Sequence, residues 1–291
     1  MPLSHLPPIL ANGKDLLERY DVLFCDVWGV VHDGHAALPP AADALMRFRK
    51  KGGTIILVSN APVPNHQVAV MLDERRLPRD AWDAIVSSGD LALEHIDEKR
   101  FETLLPIGPQ DRDAALFERV ETLSASMPDA DAILCSGLND DLNETADDYR
   151  GLLEKALEHE LPFVCANPDL VVDVGGKLYL CAGAIADLYQ HLGGEVFWAG
   201  KPFAIAYDAA RTKAQEIRQA DVAADKILVV GDSVRTDLQG AQNFGVDALF
   251  IAGGIHRDET MQDALIDPIR LAQVLKPGTP QAIAAMPHLA W

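Results

Sequence analysis

A chain of 291 residues with 48% hydrophobic side chains is long enough to bury one large core or two modest ones. Its 25 basic and 44 acidic side chains leave a formal net charge of −19, which repels nucleic acid and anionic lipid and excludes a polyanionic partner, while leaving a small phosphate open to capture by a local cation. No apolar run approaches the ~18 residues of a membrane span, and Met1-Pro2-Leu3-Ser4-His5 is not a basic segment leading into an apolar one, so the expected setting is the cytoplasm.

From the amino terminus, strand and helix patterns alternate. A strand is expected at 22–26, and a helix at about 40–51, opened by Pro39-Pro40 and closed by Gly52-Gly53. A strand at 54–58 and a helix at about 65–77, ended near Pro78, follow. Crossovers of this kind predict a parallel sheet with right-handed connections. The roughly 140 residues between Ser59 and Lys201 exceed one crossover and carry their own series: strand 104–107, helix 113–125, strand 132–135, helix 144–159 and strand 163–166. A second α/β unit is therefore expected at 93–184, inserted into a first unit made of 1–92 and 185–291, with hinges near Gly89-Asp90 and Gly183. The first sheet is expected to resume with helix 183–192, strand 196–199, helix 203–219, strand 226–231, helix 235–244 and strand 247–251. Periodicity weakens from about Pro268, and Trp291 reads as a packing anchor for the terminus.

Four apolar runs each end on a polar residue of a different kind. Val22 to Cys25 leads into Asp26, Ile55 to Val58 into Ser59, Val196 to Gly200 into Lys201, and Ile227 to Gly231 into Asp232. Ligands of open α/β sheets gather beyond the carboxyl ends of their strands, so these four groups are candidates for one crevice. A carboxylate such as Asp26, lifted clear of the sheet by Gly29, can ligate a metal with one oxygen and attack phosphorus with the other; a turn-capping aspartate is the alternative. Ser59 and Asn60, at the start of the next helical segment, can bind phosphate oxygens through hydroxyl and backbone amides, or serve as a plain cap. Lys201, before a helix that begins at Pro202, can neutralise a transferring phosphoryl group, although alone it is indistinguishable from a surface lysine. Asp232 and Asp237, five apart across a turn, suit magnesium, which takes oxygen ligands and keeps several waters.

Cys25, Cys135, Cys165 and Cys181 are far apart and mostly embedded in apolar runs, with neither zinc nor disulfide spacing, and read as small buried hydrophobes. The 9 histidines show no metal-ligand spacing.

Taken in order, with a domain-sized insert, the four strand ends resemble the haloacid dehalogenase superfamily of phosphohydrolases. The insert, with Ile85-Val86-Ser87-Ser88-Gly89-Asp90, Asn167-Pro168-Asp169 and Gly200-Lys201-Pro202, is similar to the class IIA, NagD-like branch with a large α/β cap. The resemblance implies a Rossmann-like parallel-sheet core with an α/β cap domain at 93–184 that selects the substrate. It implies Asp26 as nucleophile, Ser59 and Lys201 as phosphate ligands, Asp232 as a Mg2+ ligand with Asp237 in support, and the Trp28 main-chain carbonyl as a further ligand. Asn167 and Asp169 would face the substrate, with an Asx turn as the alternative. The implied activity is magnesium-dependent hydrolysis of a small phosphorylated metabolite, a sugar phosphate, nucleotide or phosphorylated cofactor, through an aspartyl-phosphate intermediate. Capped relatives often pair through the cap, so a homodimer is also implied.

One position departs from the pattern. Family phosphatases usually carry a general acid/base aspartate two residues after the nucleophile, where this chain has Trp28. Three readings follow: a phosphatase acting on good leaving groups, substitution by His32 or Asp33, or a catalytically weak phospho-metabolite sensor. Phosphonate cleavage or phosphoryl transfer stays open beside them, whereas dehalogenation does not suit the paired Asp232 and Asp237.

Overall fold

A computed structural model describes residues 6–291; the segment Met1 to His5, read above for targeting signals, lies outside them. In chain order the strands are β1 (Val22–Cys25), β2 (Thr54–Ser59), β3 (Ala84–Ser87), β4 (Thr103–Ile107), β5 (Thr122–Leu123), β6 (Ala132–Cys135) and β7 (Phe163–Cys165). A hairpin of β8 (Val171–Val174) and β9 (Lys177–Leu180) precedes β10 (Val196–Trp198), β11 (Ile227–Gly231) and β12 (Asp247–Ile251). A short hairpin of β13 (Met261–Gln262) and β14 (Leu265–Ile266) leads to the last strand, β15 (Ala284–Met286).

The chain forms two compact units. The first comprises the chain up to Ser59, Ala69–Val86 and Lys201–Trp291, and the second Asn60–Val68 and Ser87–Gly200. In the first, six strands lie in the order β15-β12-β11-β1-β2-β3. β1 pairs in parallel with both β2 and β11, and β12 with both β11 and β15. Every residue of β1, β2 and β11 is buried, which explains the unbroken apolar runs: both faces of these strands are covered. Because the chain leaves β1 toward β2 and later returns to β11 on the opposite side, the sheet changes direction between β1 and β11. Asp26 and Asp232 directly follow those two strands.

The second unit holds a five-stranded parallel sheet, β10-β7-β6-β4-β5, over its own core, in which Phe163 packs against Tyr189 among Ile133, Leu153 and Ile185. The Tyr189 hydroxyl is satisfied by the Leu161 carbonyl at 2.6 Å. β10 corrects one expectation: the strand read at 196–199 as resuming the first sheet pairs with β7, Val196 opposite Phe163. The compact second unit is accordingly broader than 93–184, ending at Gly200. Gly89 and Gly183, expected in hinge loops, instead occupy the first turns of the helices Ser88–Lys99 and Ala182–His191. The Ser87 side chain caps the former by accepting the Asp90 N–H. No helix among the described residues is long and apolar enough to cross a membrane.

Candidate active site

Asp26 takes its place from the sheet, since its own N–H donates to the Val230 carbonyl at 2.8 Å and so continues the pairing of β1 with β11. One of its carboxylate oxygens accepts a hydrogen bond from Lys201 Nζ at 2.5 Å, and the same ammonium donates to Asp237 Oδ1 at 2.8 Å. Lys201 therefore joins two carboxylates, with 4% of its side-chain surface exposed against 11% for Asp26 and 1% for Asp237. Asp232 enters from the end of β11, its Oδ2 accepting the Ile255 N–H at 2.7 Å. One oxygen from each of Asp26, Asp232 and Asp237 lies within 4.8 Å of the others.

Local backbone makes room for this crowding. A Cβ on Gly29 or Gly254 would stand 2.0 or 1.9 Å from Asp232 Oδ2, so any side chain at either position would evict the carboxylate. A Cβ on Gly231 would stand 2.1 Å from Asp237 Cγ. Asp237 itself lies on a single π-helical turn, Val234–Leu238, opened by Ser233, whose hydroxyl accepts the Thr236 N–H. The Ser233 N–H in turn donates to Asp237 Oδ2 at 3.1 Å.

Three carboxylates against one ammonium leave an excess of negative charge in a buried place. Burial pushes the Asp26 carboxyl up to about 7, with the charge of Asp237 adding to the rise and Lys201 opposing it. Burial also raises Asp232 well above the ordinary carboxylate range, reinforced by Asp26 and then Asp237. Burial disfavours the charge on Lys201, but Asp237 and Asp26 outweigh it and hold the ammonium protonated. A divalent cation fits this donor set: the groups are hard oxygens, close together, and their excess charge is what a cation would neutralise.

The sequence-derived residues thus divide between the two units. Asp26, Lys201, Asp232 and Asp237 converge in the first, where Ser59, at the end of β2, is 8% exposed. In the second unit the Asn60 side-chain amide donates to Asp169 Oδ1 at 2.9 Å, and its oxygen accepts from the Ser88 hydroxyl at 3.3 Å. The Asp169 N–H donates to Asn167 Oδ1 at 3.1 Å, so Asn167-Pro168-Asp169 forms the Asx turn weighed above, and Asn60 fastens it. His32 and Asp33 are both occupied in the turn after Asp26. His32 is 2% exposed and its Nδ1 accepts the Gly34 N–H at 2.9 Å. Asp33 Oδ1 accepts the N–H groups of His35 and Ala36, each at 2.9 Å.

Sequence reasoning missed the Ile255 N–H, which holds Asp232, and the pair of glycines that admits it. The only signal was Gly253-Gly254 directly after the apolar run 248–252, a pattern equally suited to a plain turn.

A crystal structure of a hydrolase of the haloacid dehalogenase-like family from Brucella suis 1330 is 39% identical, covers 96% of this chain and 99% of its own, and superposes with a TM-score of 0.83. This chain belongs to the haloacid dehalogenase-like family. The Haloacid dehalogenase-like hydrolase family model matches residues 23–121, spanning Asp26 and Ser59, and a HAD-hydrolase-like model matches 198–276, spanning Lys201, Asp232 and Asp237. Among curated relatives, a 4-nitrophenylphosphatase of Schizosaccharomyces pombe is 25% identical over 284 residues, covering 88% of this chain and 92% of its own. The ribonucleotide monophosphatase NagD of Escherichia coli is 23% identical over 240 residues, covering 80% and 88%. The class IIA, NagD-like assignment drawn from the motifs stands with these matches.

Proposed function

We propose that this haloacid dehalogenase-like hydrolase is a magnesium-dependent phosphatase acting on a small phosphorylated metabolite through a phosphoenzyme on Asp26. Hydrolysis of phosphoric monoesters is the activity class of the named relatives, a 4-nitrophenylphosphatase and a ribonucleotide monophosphatase among them. The observation that carries the reading for this chain is the cluster itself: three convergent carboxylates, of which Asp26 keeps the most exposed side chain, tied to a single buried lysine at the switch point of the sheet.

In this reading Asp26, Asp232 and Asp237, with the Trp28 carbonyl, would hold a magnesium ion, which would offset the repulsion between a phosphate dianion and the carboxylates. The Asp26 carboxylate attacks phosphorus through one oxygen, forming an acyl phosphate as the bond to the leaving oxygen breaks. Lys201, fixed by Asp237, supplies positive charge beside the reacting oxygens, and the Ser59 hydroxyl and Asn60 backbone bind phosphate. Water then attacks the phosphorus, phosphate departs and the Asp26 carboxylate is restored. The second unit acts as a substrate-selecting cap, and Asn167 and Asp169 shape its contribution. The partner is a free small molecule, not nucleic acid or membrane, in the cytoplasm, and the chain pairs as a homodimer. A second reading, a phospho-metabolite sensor with little turnover, is favoured by Trp28 alone.

Phosphate release from 4-nitrophenyl phosphate and a panel of phosphorylated metabolites, with magnesium and with chelator, tests the proposal. Turnover is expected with magnesium only, is lost in Asp26→Asn, and leaves an acid-stable phosphate on Asp26 after rapid quenching. Hydrolysis retained in Asp26→Asn would remove the covalent step. Binding of phosphorylated ligand without turnover would select the sensor.

A further inference from the structure

If Asp26 is the nucleophile of a phosphatase, as just proposed, the polar groups around it determine which leaving groups the site can expel. A departing alkoxide is about as basic as hydroxide, whose parent water titrates at ~15.7, so it needs a proton as the bond to phosphorus breaks. A phenoxide, whose parent titrates near ~10, needs one much less, and a carboxylate, near ~4, not at all.

Among the described residues of the first unit, the acids and bases of the segment after Asp26 and of its own cluster are committed elsewhere. Two residues on, the chain presents the indole of Trp28, which has no acidic proton to give. The Trp28 ring meets the edge of His32 at a centroid distance of 4.9 Å and carries the Arg75 guanidinium 6.0 Å above it. His32 is enclosed and accepts the Gly34 N–H. Asp33 is an acceptor for two backbone amides, which fixes it as a carboxylate. Lys201 spends its ammonium on Asp26 and Asp237, so releasing a proton would leave two buried carboxylates facing each other without a counter-charge. Asp232 and Asp237 each accept a backbone N–H and are the groups suited to a cation.

We propose that this site is restricted to phosphoryl donors whose leaving oxygen departs without a proton, namely aryl and acyl phosphates, and discriminates against phosphate esters of alkyl alcohols. In the first step the Asp26 oxygen–phosphorus bond forms while the phosphorus–leaving-oxygen bond breaks, and the electron pair stays on the leaving oxygen as a free anion. In the second step a water oxygen bonds to phosphorus, the Asp26 oxygen–phosphorus bond breaks, and the water proton passes to solvent.

The test is kcat/KM, which reports the first irreversible step, for acetyl phosphate, a series of substituted phenyl phosphates and ethyl phosphate, all in magnesium. The expected result is a graded decline as the leaving group becomes more basic, with ethyl phosphate ~10²–10⁴-fold below 4-nitrophenyl phosphate, the size of a missing general acid. Trp28→Asp, checked for folding by circular dichroism, is expected to raise ethyl phosphate turnover and flatten the series. The wild-type slope decides even if that variant does not fold. Ethyl and 4-nitrophenyl phosphate handled within about ten-fold of each other would overturn the restriction and leave the phosphatase reading intact. An unchanged slope in folded Trp28→Asp would overturn the link to position 28. Absence of magnesium-dependent turnover on every substrate would overturn both proposals.

Discussion

At His32, the acceptor role of Nδ1 toward the Gly34 N–H requires a neutral ring with its proton on the other nitrogen. Burial is the main reason its pKa falls from 6.5 to about 4, and the positive charge of Arg75 adds to it while Asp33 opposes. The unfolded ring takes a proton near 6.5, whereas the folded ring resists until about 4, so between these values the unfolded state binds more protons. Stability is therefore complete above the unfolded value and falls as pH drops toward the folded one, by about 3 kcal/mol over the whole window. Urea unfolding of wild type and His32→Asn at pH 7.5 and pH 5 in magnesium checks this. The wild type should lose about 2 kcal/mol more than the variant between the two conditions. Parallel losses would show that the ring is protonated as readily in the folded state as in the unfolded.

Among the elements, the turn that carries Asp237 was legible only as the beginning of a helix at 235–244, because a π turn and an α turn share the same residue preferences. What distinguishes them is tertiary: Gly231 lets the Asp237 side chain lie against the end of β11, and the Tyr207 hydroxyl reaches the Thr236 and Asp237 carbonyls at 3.4 Å. Gly231→Ala should displace the Asp237 carboxylate and lower kcat/KM by ~10²-fold, the usual effect of moving a positioning group by about an ångström. Thermal unfolding should change far less than activity, and wild-type activity in that variant would show that the turn has slack. The strands that frame the site are legible as unbroken apolar runs, Asp26, Lys201 and Asp232 as the residues at which those runs end, and Asp237 from its spacing five beyond Asp232 across a turn. Pairing was another matter. Val196 to Trp198 has the same apolar character as a strand of either sheet, and nothing local names Phe163 as its partner. β15, Ala-Ala-Met in a tail of weak periodicity, has little strand preference of its own and forms because β12 offers an edge and burial. The Ile255 N–H that holds Asp232 comes from 23 residues further along the chain, a distance over which sequence spacing carries no geometric information.

For the molecule as a whole, a cation held as proposed by the carboxylate cluster would make folding and cation binding one equilibrium. Burial raises Asp232 and Asp26 above their unfolded values, helped by Asp26 and Asp237 at Asp232 and by Asp237 at Asp26, where Lys201 opposes the rise. Without a cation such groups contribute stability that is present below the unfolded value and lost as pH rises through the folded one, about 7 for Asp26. The cation-free protein is thus weakened at neutral pH by the same charges that suit it to magnesium. A cation that binds the folded state alone stabilises it, so on the proposed reading magnesium at 100 times its Kd should add about 2.7 kcal/mol, or a rise in Tm of roughly 5–10 °C. Asp232→Asn should do two opposite things. In chelator at pH 7.5 it should melt above the wild type, with the gap closing toward pH 5 as protons neutralise the wild-type carboxyl. With magnesium added, it should lose most of the rise. The net charge of −19 means that any salt will relieve some general repulsion, so sodium chloride at matched ionic strength is the control. Equal responses of both proteins to sodium, with a magnesium response in the wild type alone, would assign the stabilisation to the cluster. A magnesium response unchanged in Asp232→Asn would mean that the cation acts on the surface charge and not at the ends of β1 and β11.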